Sequence, residues 1–90
     1  MPKPNQPMLK LMFFAKIADD LATRSTTIEL GELKTVSDVI AFLASVHGPR
    51  WAEVLTQANV IYAVNQHKVA INQTISAGDE IAFMPPMTGG

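Results

Sequence analysis

The chain has 90 residues, 48% of them hydrophobic and 17% charged, and seven Lys and Arg against eight Asp and Glu leave a net charge of −1. That length fits one domain, and the even charge balance excludes the strong field that holds nucleic acid or an anionic membrane surface. With no cysteine there is no disulfide framework, no thiolate zinc site and no cysteine nucleophile, while a charged fraction below the usual ~25% leaves neutral or apolar surface for a partner to cover.

Residues 1–7 are polar and proline-rich and read as a flexible lead, without the pattern of a secretory signal. Met8 to Phe14 reads as a strand. Leu9, Leu11 and Phe13 share one face, Met8, Met12 and Phe14 the other, with Lys10 the only charge. Apolar residues on both faces place it centrally in a sheet. Ala15 to Ser25 reads as a polar connection with a short helical turn around Ile17–Leu21. Thr26 to Leu30, β-branched and closed by Gly31, is a second strand.

The clearest element is a helix over Val36–His47, where Val36, Val39, Ile40, Leu43 and Val46 recur at helical spacing. Thr35 with Asp38 three positions on has the pattern of a capping box, and Gly48-Pro49 ends the helix. A short second helix is predicted from Arg50 to Gln57, with Trp51, Val54 and Leu55 as its apolar contacts. Val60–Val64 is a third strand, Asn65-Gln66 begins a turn, and Lys68–Ile71 is a short edge strand. Ala77-Gly78-Asp79 is a turn signal leading into Glu80–Met84. Pro85-Pro86 then stops the pairing, since proline has no N–H for a ladder. One amphipathic helix amid strands implies an α+β domain over residues 8–84, with the helix on one side of a mixed sheet. The apolar run Leu9–Phe14 falls far short of the ~20 residues that cross a bilayer, so a soluble cytoplasmic protein is expected.

Few side chains in this sequence carry chemistry. His47 and His67 are the only histidines; they are too far apart for a local metal motif, and His47 suits the C-terminal end of its helix. The carboxylates are scattered: Asp19-Asp20 reads as a turn or helix start and Asp79-Glu80 as a turn. The glycines form no phosphate-binding loop, and basic residues are not interleaved with aromatics as single-stranded nucleic acid requires. Trp51 and Tyr62 read as core or interface. The isolated chain is therefore expected not to be an enzyme and to bind no metal or cofactor.

Residues 85–90 stand apart. A proline pair after a strand stiffens and projects the end of the chain, and from Met84 to Gly90 full extension reaches about 23 Å. Thr88-Gly89-Gly90 ends in two residues without side chains, a backbone thin enough to enter a narrow channel. The reactive group on offer is the α-carboxylate of Gly90, ionised and a poor electrophile at neutral pH. Adenylation by another enzyme makes it an acyl-adenylate, and attack by a sulfur nucleophile then yields a thiocarboxylate. The plain alternative is a frayed terminus.

Phe13-Phe14-Ala15 after the first strand, Trp51 after the helix, Val64-Asn65-Gln66, and the stretch from Gly78-Asp79-Glu80 to Met87-Thr88-Gly89-Gly90 together resemble the MoaD family. These are the ubiquitin-like small subunits of molybdopterin synthase. The resemblance runs from about Met8 to Gly90, and its final stretch is the specific part. The family often has an acidic residue where Ala77 stands and an aromatic at Met84. The resemblance implies a ubiquitin-like β-grasp fold of four to five strands. It implies that Gly90 is adenylated by a ubiquitin-activating-like adenylyltransferase at the expense of ATP, and becomes a thiocarboxylate. The tail then docks in the synthase large subunit, within a heterotetramer, and gives sulfur to a cyclic pyranopterin precursor in molybdenum cofactor biosynthesis. Phe83, Met84, Pro85, Pro86 and Met87 are the expected partner-binding residues. A thiamine-type sulfur carrier, a ubiquitin-like protein modifier and a β-grasp binding module with an inert tail are the alternatives.

Overall fold

The computed structural model describes residues 7–86. In chain order the elements are β1 (Met8–Phe13), α1 (Ala15–Leu21), β2 (Ser25–Glu29), α2 (Val36–His47), α3 (Pro49–Leu55), β3 (Ile61–Val64), β4 (His67–Val69) and β5 (Glu80–Met84). The strands form one mixed sheet in the order β2-β1-β5-β3-β4. Only the β1–β5 pair is parallel, so strands far apart in sequence lie side by side at the centre. This is the α+β architecture expected for a β-grasp domain, with three helices rather than two.

The additional helix is α1. Its sequence shows little more than Ile17, Ala18 and Leu21 as apolar residues, and a seven-residue helix is marginal by itself. All three are buried, so packing on the core supplies what local propensity lacks. The helix α2 has the bounds its caps dictate. The Thr35 hydroxyl accepts from the Asp38 N–H at 3.2 Å, and the Asp38 carboxylate accepts from the Thr35 N–H at 3.1 Å. Pro49 opens α3 at the first helical position, where its missing N–H costs nothing.

One face of the sheet carries the core. Leu9, Leu11 and Phe13 of β1 and Ile81 and Phe83 of β5 are buried against Ile17, Val36, Val39, Ile40, Leu43, Trp51 and Leu55 of the helices. Phe83 stacks on Phe13 with ring centroids 5.3 Å apart, and Trp51 meets Phe13 edge-on at 5.6 Å. Val46, expected in the buried stripe of α2, is instead exposed, because the helix turns its Val36, Val39, Ile40 and Leu43 side inward. Among the described residues no helix is long and apolar enough to cross a membrane.

Candidate functional site

The opposite face of the sheet is open, and the strand registers show what lies on it. Lys10 pairs with Glu80 and Met12 with Ala82 across β1–β5; Ala82 pairs with Ala63 and Met84 with Ile61 across β5–β3. Ala63 and Ala82 are too small to fill the space between their larger neighbours. The result is a groove of about 320 Å³ with Met12, Phe14 and Met84 along it and Gln66 and Glu80 at its polar end. Phe14 is 41% exposed. It owes this position to a sharp exit from β1: its N–H still bonds to the Phe83 carbonyl at 3.1 Å, and Ala15 comes next at φ 53. That left-handed conformation is uncommon for a residue with a side chain.

The polar end is tied together by hydrogen bonds. Asn65 and Gln66, at φ 52 and 71, form the two-residue β3–β4 turn, in the conformation whose twist suits a hairpin. The Asn65 amide donates to Asp79 Oδ1 at 2.9 Å and accepts from the Glu80 N–H at 3.0 Å. Asp79 also accepts from the Ser76 N–H at 2.7 Å. The motif residues Val64-Asn65-Gln66 and Gly78-Asp79-Glu80, separate in sequence, thus lock together at the entry to β5. From there β5 runs along the sheet centre to Met84, whose register partner is Ile61, and Pro85 and Pro86 follow it.

The expected site residues fall in three places. Met84 lies on the open face, with half-buried Pro85 and exposed Pro86 after it. Phe83 does not belong there: it is 0% exposed, because alternation along β5 points it into the core when Met84 points out. Met87, Thr88, Gly89 and Gly90 lie outside the described residues. Sequence reasoning misses Met12, Phe14, Ala63 and Ala82 as lining of the open face. The available signal is the pair of apolar faces on β1, which implies burial in a sheet as readily as exposed surface.

Nothing else among the described residues assembles a reactive centre. No group of three or more His, Asp and Glu gathers as metal ligands. His47 stacks on Trp51 with centroids 4.1 Å apart, and His67 sits exposed at the start of β4. Asp20 pairs with Lys16 at 3.1 Å along α1. Tyr62 donates to the Leu55 carbonyl at 2.6 Å, and burial raises its pKa above the usual value. A broader polar hollow of about 560 Å³ between the end of α1 and β2, lined by Asp19, Thr23, Arg24 and Ser25 among others, lacks any arrangement of acid, base and nucleophile.

Residues 11–90 match the family model of the ThiS family. The chain belongs to that family. Among relatives of this ThiS-family protein is the molybdopterin synthase sulfur carrier subunit of Escherichia coli K12, 35% identical over 83 residues that cover 92% of this chain and all of the relative. Two solved structures share its fold. Small archaeal modifier protein 1 of Haloferax volcanii superposes with a TM-score of 0.74 at 22% identity, over 90% of this chain and 99% of the other. The protein–protein complex of subunits 1 and 2 of molybdopterin-converting factor from Helicobacter pylori contains a chain that superposes with a TM-score of 0.62 at 23% identity, over 92% and 99%. The ThiS-family chain is thus a ubiquitin-like β-grasp protein whose curated relatives include molybdopterin synthase sulfur carriers.

Proposed function

We propose that the chain is the sulfur-carrier small subunit of a molybdopterin synthase. The observation that carries the reading is the named relative, matched over its whole length at 35% identity. The geometry agrees with it. A carrier needs a projecting end and a surface on which a partner reads it, and here Pro85-Pro86 leave the central strand beside an apolar groove. In the proposed cycle the Gly90 carboxylate attacks the α-phosphate of ATP on a separate adenylyltransferase, releasing pyrophosphate. Sulfide-level sulfur (HS⁻ or its equivalent) then attacks the acyl carbon, a C–S bond forms as the bond to AMP breaks, and the product is a thiocarboxylate. Thr88, Gly89 and Gly90 thread the channel of the large subunit, where sulfur passes to the cyclic pyranopterin precursor. The Met12, Phe14 and Met84 surface, with Pro85, Pro86 and Met87, docks on that subunit; the solved Helicobacter pylori structure of similar fold is likewise a complex of subunits 1 and 2. Catalytic side chains belong to the partners, and the chain itself holds no cofactor.

The test has two steps: pyrophosphate release with the adenylyltransferase, then molybdopterin formation with the large subunit. Deletion of Gly90 or a permanent C-terminal tag should abolish both and leave the fold intact, and Gly89→Val should be nearly as damaging because a β-branched side chain widens and stiffens the tail. A tagged chain that supports both steps as well as the untagged one refutes the mechanism. Intact mass from the native host separates the alternatives: a thiocarboxylate marks a carrier, a lysine conjugate a modifier, and an unmodified carboxylate an inert tail.

A further inference from the structure

An open five-stranded sheet has two edges, and here they differ. At one edge β4 is three residues long and carries exposed His67 and Lys68, and short length and charge are the usual guards against pairing with another chain. At the other edge β2 runs Ser25–Glu29 with no proline, no lysine and an unbroken register against β1.

The main chain of β2 shows which groups face outward. The bonds from the Phe13 N–H to the Arg24 carbonyl (2.9 Å) and from the Leu30 N–H to the Pro7 carbonyl (3.0 Å) put the hydrogen-bonded positions at Arg24, Thr26, Ile28 and Leu30. Alternation then turns the N–H and C=O of Ser25, Thr27 and Glu29 away from β1. All three residues are exposed, and no main-chain hydrogen bond among the described residues reaches those outward groups.

The geometry points to a second copy of this chain as the occupant of that edge: two β2 strands pair antiparallel about a two-fold axis through Thr27, joining the two sheets into one. The outward set is symmetric about Thr27, so Ser25 of each copy faces Glu29 of the other and Thr27 faces Thr27. Each of these pairs exchanges two main-chain hydrogen bonds, and no outward group is left over. The side chains fit the same register. On the open face a Ser25 hydroxyl stands across from a Glu29 carboxylate as donor to acceptor. On the core face the half-buried Ile28 lies against Thr26 of the second copy. No like charges stand opposite one another, and a net charge of −1 per chain opposes association only weakly. Main-chain pairing alone would accept any extended strand, so the choice of a second copy rests on the side chains: in this register Ser25 meets Glu29, Thr27 meets itself and Ile28 meets Thr26, with no charge facing its like. A seam of one strand per copy buries less than the ~1,200 Å² of a standard stable interface, so the dimer is weak and depends on concentration. The seam lies on the far side of β2 from β1, whose Met12 is the nearest strand residue of the groove, so the groove and Pro85-Pro86 remain uncovered. Self-pairing at β2 is therefore independent of the carrier reading.

Sedimentation velocity on the full chain tests it, from about 20 μM to about 1 mM, which brackets dissociation constants between the micromolar and millimolar scales of weak association. The weight-average mass should climb from that of one chain toward that of two. Thr27→Lys and Thr27→Glu each place like charges opposite across the axis. Each should weaken self-association at least tenfold, and an equimolar mixture of the two should restore it. Thr27→Pro, which removes an outward N–H that β1 does not use, should also leave a monomer, with circular dichroism confirming that every variant folds. Met84→Asp, on the groove, should leave the dimer unchanged. A parent chain that stays monomeric at about 1 mM overturns the proposal. So does a dimer that survives Thr27→Pro or is lost in Met84→Asp, and so does a mixture of the two charge variants that fails to associate.

Discussion

Replacing Phe83 by alanine should destabilise the protein far more than it disturbs any docking surface. The ring is fully buried, stacked on Phe13 at 5.3 Å and met edge-on by Tyr62 at 5.9 Å. Its strand is held on both sides, by β1 and by β3, so the walls cannot collapse into the space left behind. A Phe→Ala change at such a site costs about 3–5 kcal/mol, from lost transfer free energy plus the cavity, and the two aromatic contacts place this one toward the upper end. A domain of this size has a total stability of roughly 5–15 kcal/mol. At about 4–8 °C per kcal/mol, the melting temperature should fall by roughly 15–40 °C. Urea titration read by Trp51 fluorescence and by far-ultraviolet circular dichroism measures the loss, and coincident transitions license the two-state analysis. Trp51 suits the purpose because it lies 5.6 Å from Phe13 in the same cluster. Binding to the large subunit is then compared at a temperature where both proteins are folded, and there it should be nearly unchanged. Phe83→Ala with stability within about 1 kcal/mol of the parent and affinity lost would refute the reasoning.

Met84→Asp should behave in the opposite way. Stability should change by about 1 kcal/mol or less, as for other partly exposed positions, while calorimetry against the large subunit should show at least tenfold weaker binding. Thr35→Ala removes the hydroxyl half of the capping box of α2 and should cost about 1 kcal/mol in urea titration. Tyr62 is the only tyrosine, so absorbance near 295 nm titrates it alone. Burial raises its folded pKa, so the stabilisation linked to its proton is complete below the unfolded value near 10 and is lost as pH rises through the folded value. Tyr62→Phe should flatten that alkaline loss and, by removing the 2.6 Å bond to the Leu55 carbonyl, cost about 1 kcal/mol at neutral pH.

The elements readable from the sequence are those set by local chemistry. Thr35 and Asp38 bracket the start of α2 and Gly48-Pro49 its end, because caps act within one turn of chain. β5 has the bounds its turn signal and prolines imply. The Gly-Gly end, read as the chemical site, depends on residue type and position alone and lies outside the described residues. Elsewhere contacts between distant segments decide the outcome. Ile17, Ala18 and Leu21 become a helix because the core buries them, not because seven residues favour one. Strand alternation places Phe83 and Met84 on opposite faces, but both are apolar, and along β5 only the charge of Glu80, on the side of Met84, hints at which face the helices leave open. That is settled by the parallel pairing of β5 with β1, some seventy residues earlier in the chain, and by α2 and α3 packing on the Phe13–Phe83 side. The same pairing leaves Met12, Phe14 and Met84 on the open face. Period two specifies that a strand has two faces, and only the tertiary fold assigns one of them to the core.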